Sequence, residues 1–449
     1  MTQIELDGIK TIVMSLLSDE KRQTAFDILD MYFKKADTLQ DFDALGYLSL
    51  KAEYRTLYLK CAEAAYVKAE TGDQLYIARA NLYKAYNALN YPEKALFYID
   101  INLSITPDDF ETITQRAFNI ALMGDRKTSE DILLSLIDKY PDRAVALNNA
   151  LSGRMLRNGE TTKGILNFID AFKPGNTLFI DRLNMRKWSG MIQPGKTIYV
   201  DGEGGIGDEI INIRFFKNLQ RFGMKPILYS AWSKYRADTV DLFRRHGFEV
   251  ITESYSIDTS QLWTSMMSLP GYLNLDESTL WNGTYLTPLR NERNLLPKSK
   301  FKIGIKCHGN PYFSQDEYRC IPLDLMLQYI PDGVDIYYID KEGGHPGTID
   351  LADKIETWED TLDFIDQMDC IVSSCTSLVH AAGAMGKTTL VAVPIAEYYI
   401  WSTTRKDTTS PWYGDNFHVY KQSQVRDWTR PLTDINKKLT ELIYNKNYE

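Results

Sequence analysis

Cysteine is scarce in this chain: five residues in 449, at Cys61, Cys307, Cys320, Cys370 and Cys375, odd in number and scattered, with no C-x-x-C pair. Neither a disulfide framework nor a zinc site is signalled, and reduced thiols are expected. No apolar run nears the ~20 residues that span a bilayer, and the N-terminus MTQIELDGIK carries acid where a signal peptide needs a basic segment before an apolar one. The expectation is a soluble, cytoplasmic protein with no membrane span. Basic charge is not in excess either: 51 Lys and Arg face 60 Asp and Glu, a net charge of −9. No global field draws nucleic acid or anionic lipid, so a polyanionic acceptor requires a locally basic groove. What is present is ordinary globular material, 44% hydrophobic and 25% charged, in a chain too long for one core. Two or three domains are expected.

The first third reads as helical and periodic. Pro107, Pro141 and Pro174 close successive apolar stretches; Gly124 and Gly159 lie midway, with Asn90 in the matching place one unit earlier. Helix, short turn, helix and Pro-ended linker at a period of about 34 residues is the layout of a tetratricopeptide array. The clearest unit is ARANLYKAYNALNYPEKALFYIDINLSITPDD, with Ala85, Leu89, Ala95 and Tyr98 at its packing positions. Residues 1–75 show helical patterning without a clean repeat, as degenerate repeats or a cap would. Such an array offers a concave binding surface or a surface for self-association.

From Thr197 onward the texture changes. Short β-rich runs (TIYV, PILYS, EVIT, then FKIGIK, VDIYYI, CIVSS and TLVAV) alternate with helical stretches, and the polar segment 287–300 divides them into two sets. Alternation of this kind predicts two doubly wound parallel sheets with ligands beyond the strand carboxyl ends. The expected architecture is α + α/β: a helical repeat domain over 1–175, a Rossmann-like lobe over 176–296, and a second over 297–449.

Three loops carry candidate chemistry. After TIYV comes DGEGGIGDE, whose Gly202, Gly204 and Gly207 fit G-x-G-x-x-G at a helix start. The acidic residue a dinucleotide site wants about 20 positions on is absent, with Ser230 there instead. Gly204, Gly205 and Gly207 then serve to present Asp208, either as a carboxylate complementing the helix dipole or as a general base. GAMGKTT lacks the first glycine of a P-loop, Ala381 holding that place, so ATP hydrolysis is rejected there. No D-x-D metal motif occurs in either lobe; Asp41 to Asp43 lies in the helical third.

The runs WSGMIQPGKTIYVDGEGGIGDEI, KCHGNPYFSQDEYRCIP, DCIVSSCTSLVHAAGAMGK and SPWYGDNFHVYKQ, in this order, resemble the glycosyltransferases related to bacterial heptosyltransferases. The branch in which tetratricopeptide repeats precede the catalytic lobes is especially similar. The resemblance covers most of residues 76–435. It implies a GT-B fold of two Rossmann-like lobes, 176–296 on the acceptor side and 297–449 on the donor side, and an inverting transfer from a sugar-nucleotide donor without a metal or other cofactor. It makes Asp208 the general base and Arg319 a contact of the donor diphosphate. It puts Thr376, Ser377 and His380 on the phosphate-holding segment at a helix start. Cys375 stands where the family has an aspartate linked to the donor sugar, a departure that leaves the sugar open.

Inverting transfer needs a base at the acceptor hydroxyl and positive or dipolar groups at the leaving diphosphate, and these residues supply both. His308, at the end of FKIGIK, is a further candidate for touching donor or acceptor. The aromatic segment EYYIWSTTRKDTTSPWYGD stacks a base or closes over the site, or its Trp401 and Trp412 belong to the core. The acceptor stays open. Repeat-bearing relatives glycosylate protein side chains or glycans, and phage-encoded relatives are associated with hydroxymethylated DNA bases. Two stretches, Arg214, Lys217, Arg221 and Lys225, and Lys234, Arg236, Arg244 and Arg245, are candidates for a basic face. The alternative is a non-catalytic repeat protein with a decayed transferase domain.

Overall fold

The computed structural model describes residues 1–18, 21–170, 183–230, 237–290, 296–297, 300–310, 316–340, 343 and 345–448. Pro174 and the end of its repeat, Lys234 and Arg236 of the expected basic face, and half of the 287–300 divider (291–295 and 298–299) lie outside these residues. The chain forms two compact units. One comprises 1–138 with the short segments 310–318 and 424–426, and the other comprises the remainder from Lys139. No helix among the described residues is long and apolar enough to cross a membrane.

The first unit is helical. It contains α1 (Gln3–Ser18), α2 (Arg22–Phe33), α3 (Leu39–Lys51), α4 (Arg55–Lys68), α5 (Gly72–Ala88), α6 (Pro92–Ile105), α7 (Phe110–Leu122) and α8 (Arg126–Lys139, whose last residue belongs to the second unit). Sequence chemistry sets the boundaries: Thr38 and Thr71 cap α3 and α5 with reciprocal partners Asp41 and Gln74, and Pro92 starts α6 where a missing N–H costs nothing. Glu53, Asn90 and Gly124 turn between helices with φ of 63°, 61° and 99°, the left-handed region that lets a helix end and reverse. Consecutive helices from α3 to α7 pack on one another.

The second unit opens with α9 (Ala144–Ala150), α10 (Ser152–Arg157) and α11 (Thr161–Asp170), with Gly159 in the same left-handed turn at φ 82°. The period therefore runs past the unit boundary at Asp138. These helices stay with the sheets because α11 lies against α15 (Leu269–Tyr272), where a Cβ on Gly271 would stand 2.8 Å from Leu166.

Two parallel sheets follow. The first has β1 (Arg186–Lys187), β2 (Thr197–Asp201), β3 (Lys225–Tyr229), β4 (Val250–Ile251) and β5 (Leu262–Ser265) in the order β1-β5-β2-β3-β4. The helices α12 (Ile206–Ile213), α13 (Phe216–Arg221) and α14 (Ala237–Arg245) belong to this half. The second has β6 (Lys302–Lys306), β7 (Asp335–Tyr338), β8 (Ile349–Asp350), β9 (Cys370–Ser374), β10 (Thr389–Val393) and β11 (Phe417–Lys421) in the order β11-β10-β9-β6-β7-β8. Its helices are α16 (Asp316–Arg319), α17 (Leu323–Leu327), α18 (Trp358–Gln367), α19 (Ser377–Ala384) and α20 (Thr429–Tyr448). Central strands such as β9 and β10 are buried at every position, as sheets covered on both faces require. In each sheet the order reverses beside a central strand, at β2/β5 and at β6/β9, and crevices at such points hold ligands.

Candidate functional site

The loop after β2 is built around one carboxylate. Gly204 adopts φ 77°, and a Cβ there would lie 2.5 Å from Oδ2 of Asp208, so only glycine lets the chain curl so tightly over this side chain. Asp208 sits in the first turn of α12, where Oδ2 accepts the Gly205 N–H at 2.7 Å. Oδ1 accepts the Tyr398 hydroxyl at 2.8 Å. Both bonds aim the side chain and leave the carboxylate partly exposed.

Gly207, one residue earlier, brings the two sheets' helices together. A Cβ on it would meet Cδ2 of His380 at 2.8 Å and Cα of Ser377 at 3.4 Å. The N-terminus of α12 therefore abuts that of α19, and Asp208 lies beside the start of a helix from the other sheet. Thr376 caps α19 with extended backbone (φ −130°, ψ 170°) but gives it no side-chain cap; its hydroxyl is 3.1 Å from that of Ser373. The first N–H groups of α19 keep the partial positive charge that attracts anions. Arg319 donates from Nη1 to the Cys375 carbonyl at 3.0 Å, and its guanidinium lies over Gly309, where any Cβ would collide with it. His308 stands next to that glycine, partly exposed, its Nδ1 3.2 Å from the Gly309 carbonyl.

Arg319, Cys375, Thr376, Ser377 and Asp208 thus share one region at the strand ends. His380 is adjacent but buried, with Nδ1 2.8 Å from the Tyr413 hydroxyl and its ring stacked on Trp401 and Tyr413. Burial, reinforced by Arg214 and Arg319, brings its pKa down to about 3. What it offers a ligand is a neutral imidazole, not a positive charge. Cys375 is buried too, its Sγ accepting the Trp401 indole N–H at 3.1 Å, so the thiol in the family's aspartate position is held within the protein. Trp401 and Trp412 are core residues at 1% and 2% exposure, which places these two side chains in the packing.

Two acidic and aromatic neighbours were not singled out from sequence. Glu203, inside the glycine loop, accepts the Met267 N–H at 3.1 Å and so ties the loop to the end of β5 at the switch point of the first sheet. Burial, with the nearby Asp208 charge adding, pushes its carboxyl above the usual range. Tyr398 is the other, and its hydrogen bond has a measurable cost of removal. Tyr398→Phe keeps the ring packed on Phe168 and Tyr399 and loses the hydroxyl's bond to Asp208 together with its weaker 3.9 Å contact to Met267 Sδ. Urea unfolding is expected to show a loss of about 1–3 kcal/mol.

The expected basic face is narrowed: Arg221 and Lys225 are exposed, but Arg214 is not part of it. Arg214 is fully buried, donating to the Trp412 carbonyl at 2.6 Å within a cage of Phe215, Trp281, Tyr285, Trp412 and Tyr413. Its charge is stabilised by ring faces, at about 0.5–2 kcal/mol per contact, rather than presented to a polyanion. Arg245 is paired with Glu359 and Arg244 lies near Asp241.

No protein-family model matches the sequence, and no curated protein is similar to it. Solved structures are similar only distantly. The iron-containing dodecameric glycosyltransferase TibC of enterotoxigenic E. coli is 10% identical over 57% of this chain and 77% of its own, with a TM-score of 0.38. A variant of the Thermobaculum terrenum O-GlcNAc transferase is 12% identical over 99% and 94%, with a TM-score of 0.40. A family 9 glycosyltransferase from Veillonella parvula is 9% identical over 57% and 100%, with a TM-score of 0.40. At these values the likeness assigns the chain to no family. The expectation of chemistry without a metal is corrected by the same comparison: TibC is described as iron-containing, and metal independence is carried no further. Among the described residues no group of three or more His, Cys, Asp or Glu is arranged to hold a metal ion.

Proposed function

We propose that the chain is a glycosyltransferase of GT-B type that moves a sugar from a nucleotide-sugar donor to a hydroxyl of a macromolecular acceptor, with a tetratricopeptide-like array ahead of its two lobes. The observation that carries the reading is the approach of α12 to α19 at Gly207, which sets Asp208 beside the uncapped start of α19. Asp208 acts as the general base on the acceptor hydroxyl; the α19 N–H groups with Thr376 and Ser377, and Arg319, hold the diphosphate, and His308 borders it. The acceptor stays open between a protein or glycan and a DNA base: Arg214 is buried and Arg245 is paired with an acid, while Arg221 and Lys225 are exposed.

The test is nucleotide release from a panel of UDP-, GDP-, ADP- and CMP-sugars, with and without acceptor, followed by mass spectrometry of DNA, protein and glycan fractions. Arg319→Ala is expected to weaken nucleoside-diphosphate binding by about tenfold to a hundredfold, the worth of a charge-assisted hydrogen bond. Failure to bind or turn over any donor would sink the reading and leave the non-catalytic alternative.

A further inference from the structure

A pocket in the helical unit plays no part in the transfer reading. It holds about 200 Å³ between α3 and α5 above α4, and its walls include Phe42, Asp43 and Tyr47 from α3, Tyr58 from α4, and Asn81 and Lys84 from α5. At about 30 Å³ per water that is roughly seven waters, and an arginine side chain has about as many heavy atoms.

The carboxylate in this pocket has no cationic partner among the described residues. Asp41 and Asp43 form the one D-x-D sequence of the helical third, and their carboxylates differ in use. Asp41 is committed to the start of α3, its Oδ2 accepting the N–H groups of Asp37 and Thr38. Asp43 has one side-chain partner among the described residues, the neutral amide of Asn81 at 3.2 Å, and no lysine or arginine pairs with it. Burial raises its pKa. The same charge, after burial and Tyr83, helps push the Tyr58 phenol up to about 12. A half-buried carboxylate with a single neutral donor, walled by three aromatic rings, complements a cation on an aliphatic stem. Lys84, exposed at the mouth and likewise without a carboxylate partner among the described residues, disfavours a ligand with a second positive charge and suits one whose cation is followed by an acid.

We propose that this pocket receives a lysine or arginine side chain of a polypeptide partner, its cation against Asp43 and its stem along the rings of Phe42, Tyr47 and Tyr58. The proposal concerns the helical unit and stands whether or not the lobes transfer sugar. Titration calorimetry of the full chain tests it with the capped tetrapeptide Gly-Arg-Asp-Gly, the same peptide with citrulline for arginine, and spermidine. The arginine peptide is expected to bind about tenfold or more tighter than the citrulline one, and Asp43→Asn is expected to erase the difference. Lys84→Ala is expected to weaken the peptide and strengthen spermidine. Tyr47→Ala, at a side chain 54% exposed and so safe for folding, is expected to weaken the peptide with the charge intact. Equal binding of the two peptides, a preference that survives Asp43→Asn, or unchanged binding by Tyr47→Ala overturns the site. Spermidine binding to the parent as tightly as the arginine peptide overturns the polypeptide partner.

Discussion

Asp208→Asn is expected to slow sugar transfer by about 10²–10⁴-fold while nucleotide binding changes by less than about twofold. The substitution removes the basic carboxylate and little else. Asparagine keeps one oxygen to accept the Gly205 N–H, now met by Oδ2 at 2.7 Å; its amide group then faces the Tyr398 hydroxyl, which can turn to accept. Loss of a negative charge in the first turn of α12 costs about 0.3–1 kcal/mol, so the variant folds. The groups assigned to the diphosphate belong to α19 and to Arg319, which donates to the Cys375 carbonyl, whereas Asp208 is assigned to the acceptor hydroxyl, so binding and turnover are expected to separate. Single-turnover transfer beside equilibrium binding of the released nucleotide reads both quantities. Parental turnover in Asp208→Asn would remove the base, whereas a parallel loss of binding and turnover would make the residue structural.

The sheets were largely legible because their central strands are continuous apolar runs between turns. TIYV, PILYS, FKIGIK, CIVSS and TLVAV all lie in strands of parallel sheets. The strands not foreseen are β1 and β8, of two residues each, and β5 and β11, whose LWTS and FHVYK mix polar with apolar side chains and owe their pairing to neighbours. The midpoints Asn90, Gly124 and Gly159 were legible for a different reason: left-handed backbone at a helix end restricts the residue type. In the site, Asp208 stands out because the glycines at 202, 204, 205 and 207 just ahead of it announce a tight loop. Glu203 and Tyr398 were not visible in that way. Tyr398 reaches Asp208 across 190 positions of sequence, and Glu203 matters only once β5 is known to lie beside β2. Arg214 misled because a basic residue near the end of an amphipathic helix ordinarily faces water; here the ring cage that receives it comes from residues up to 199 positions away.

The stability of the protein is expected to fall more steeply in acid than that of a His380→Gln variant. His380 lies between Trp401 and Tyr413 with its Nδ1 bonded to the Tyr413 hydroxyl, and the folded state holds its pKa near 3 against an ordinary 6.5. As pH drops through 6.5 the unfolded chain takes up a proton that the folded chain refuses until about pH 3. The contribution is therefore complete at neutral pH and is lost progressively between those two values. At 1.36 kcal/mol per unit, moving from neutral pH to about 4.5 costs the parent on the order of 2–3 kcal/mol that the glutamine variant does not lose. Urea unfolding at the two pH values measures the difference, and equal slopes for parent and variant would mean that the ring takes its proton while folded. The same neutrality bears on the proposed chemistry. Arg214 and Arg319 both disfavour a charge on His380, and Arg214 faces rings, so the proposed transfer relies on Arg319 and the first N–H groups of α19 for the leaving diphosphate. His380 serves them by filling the space against Gly207 that keeps α19 at Asp208.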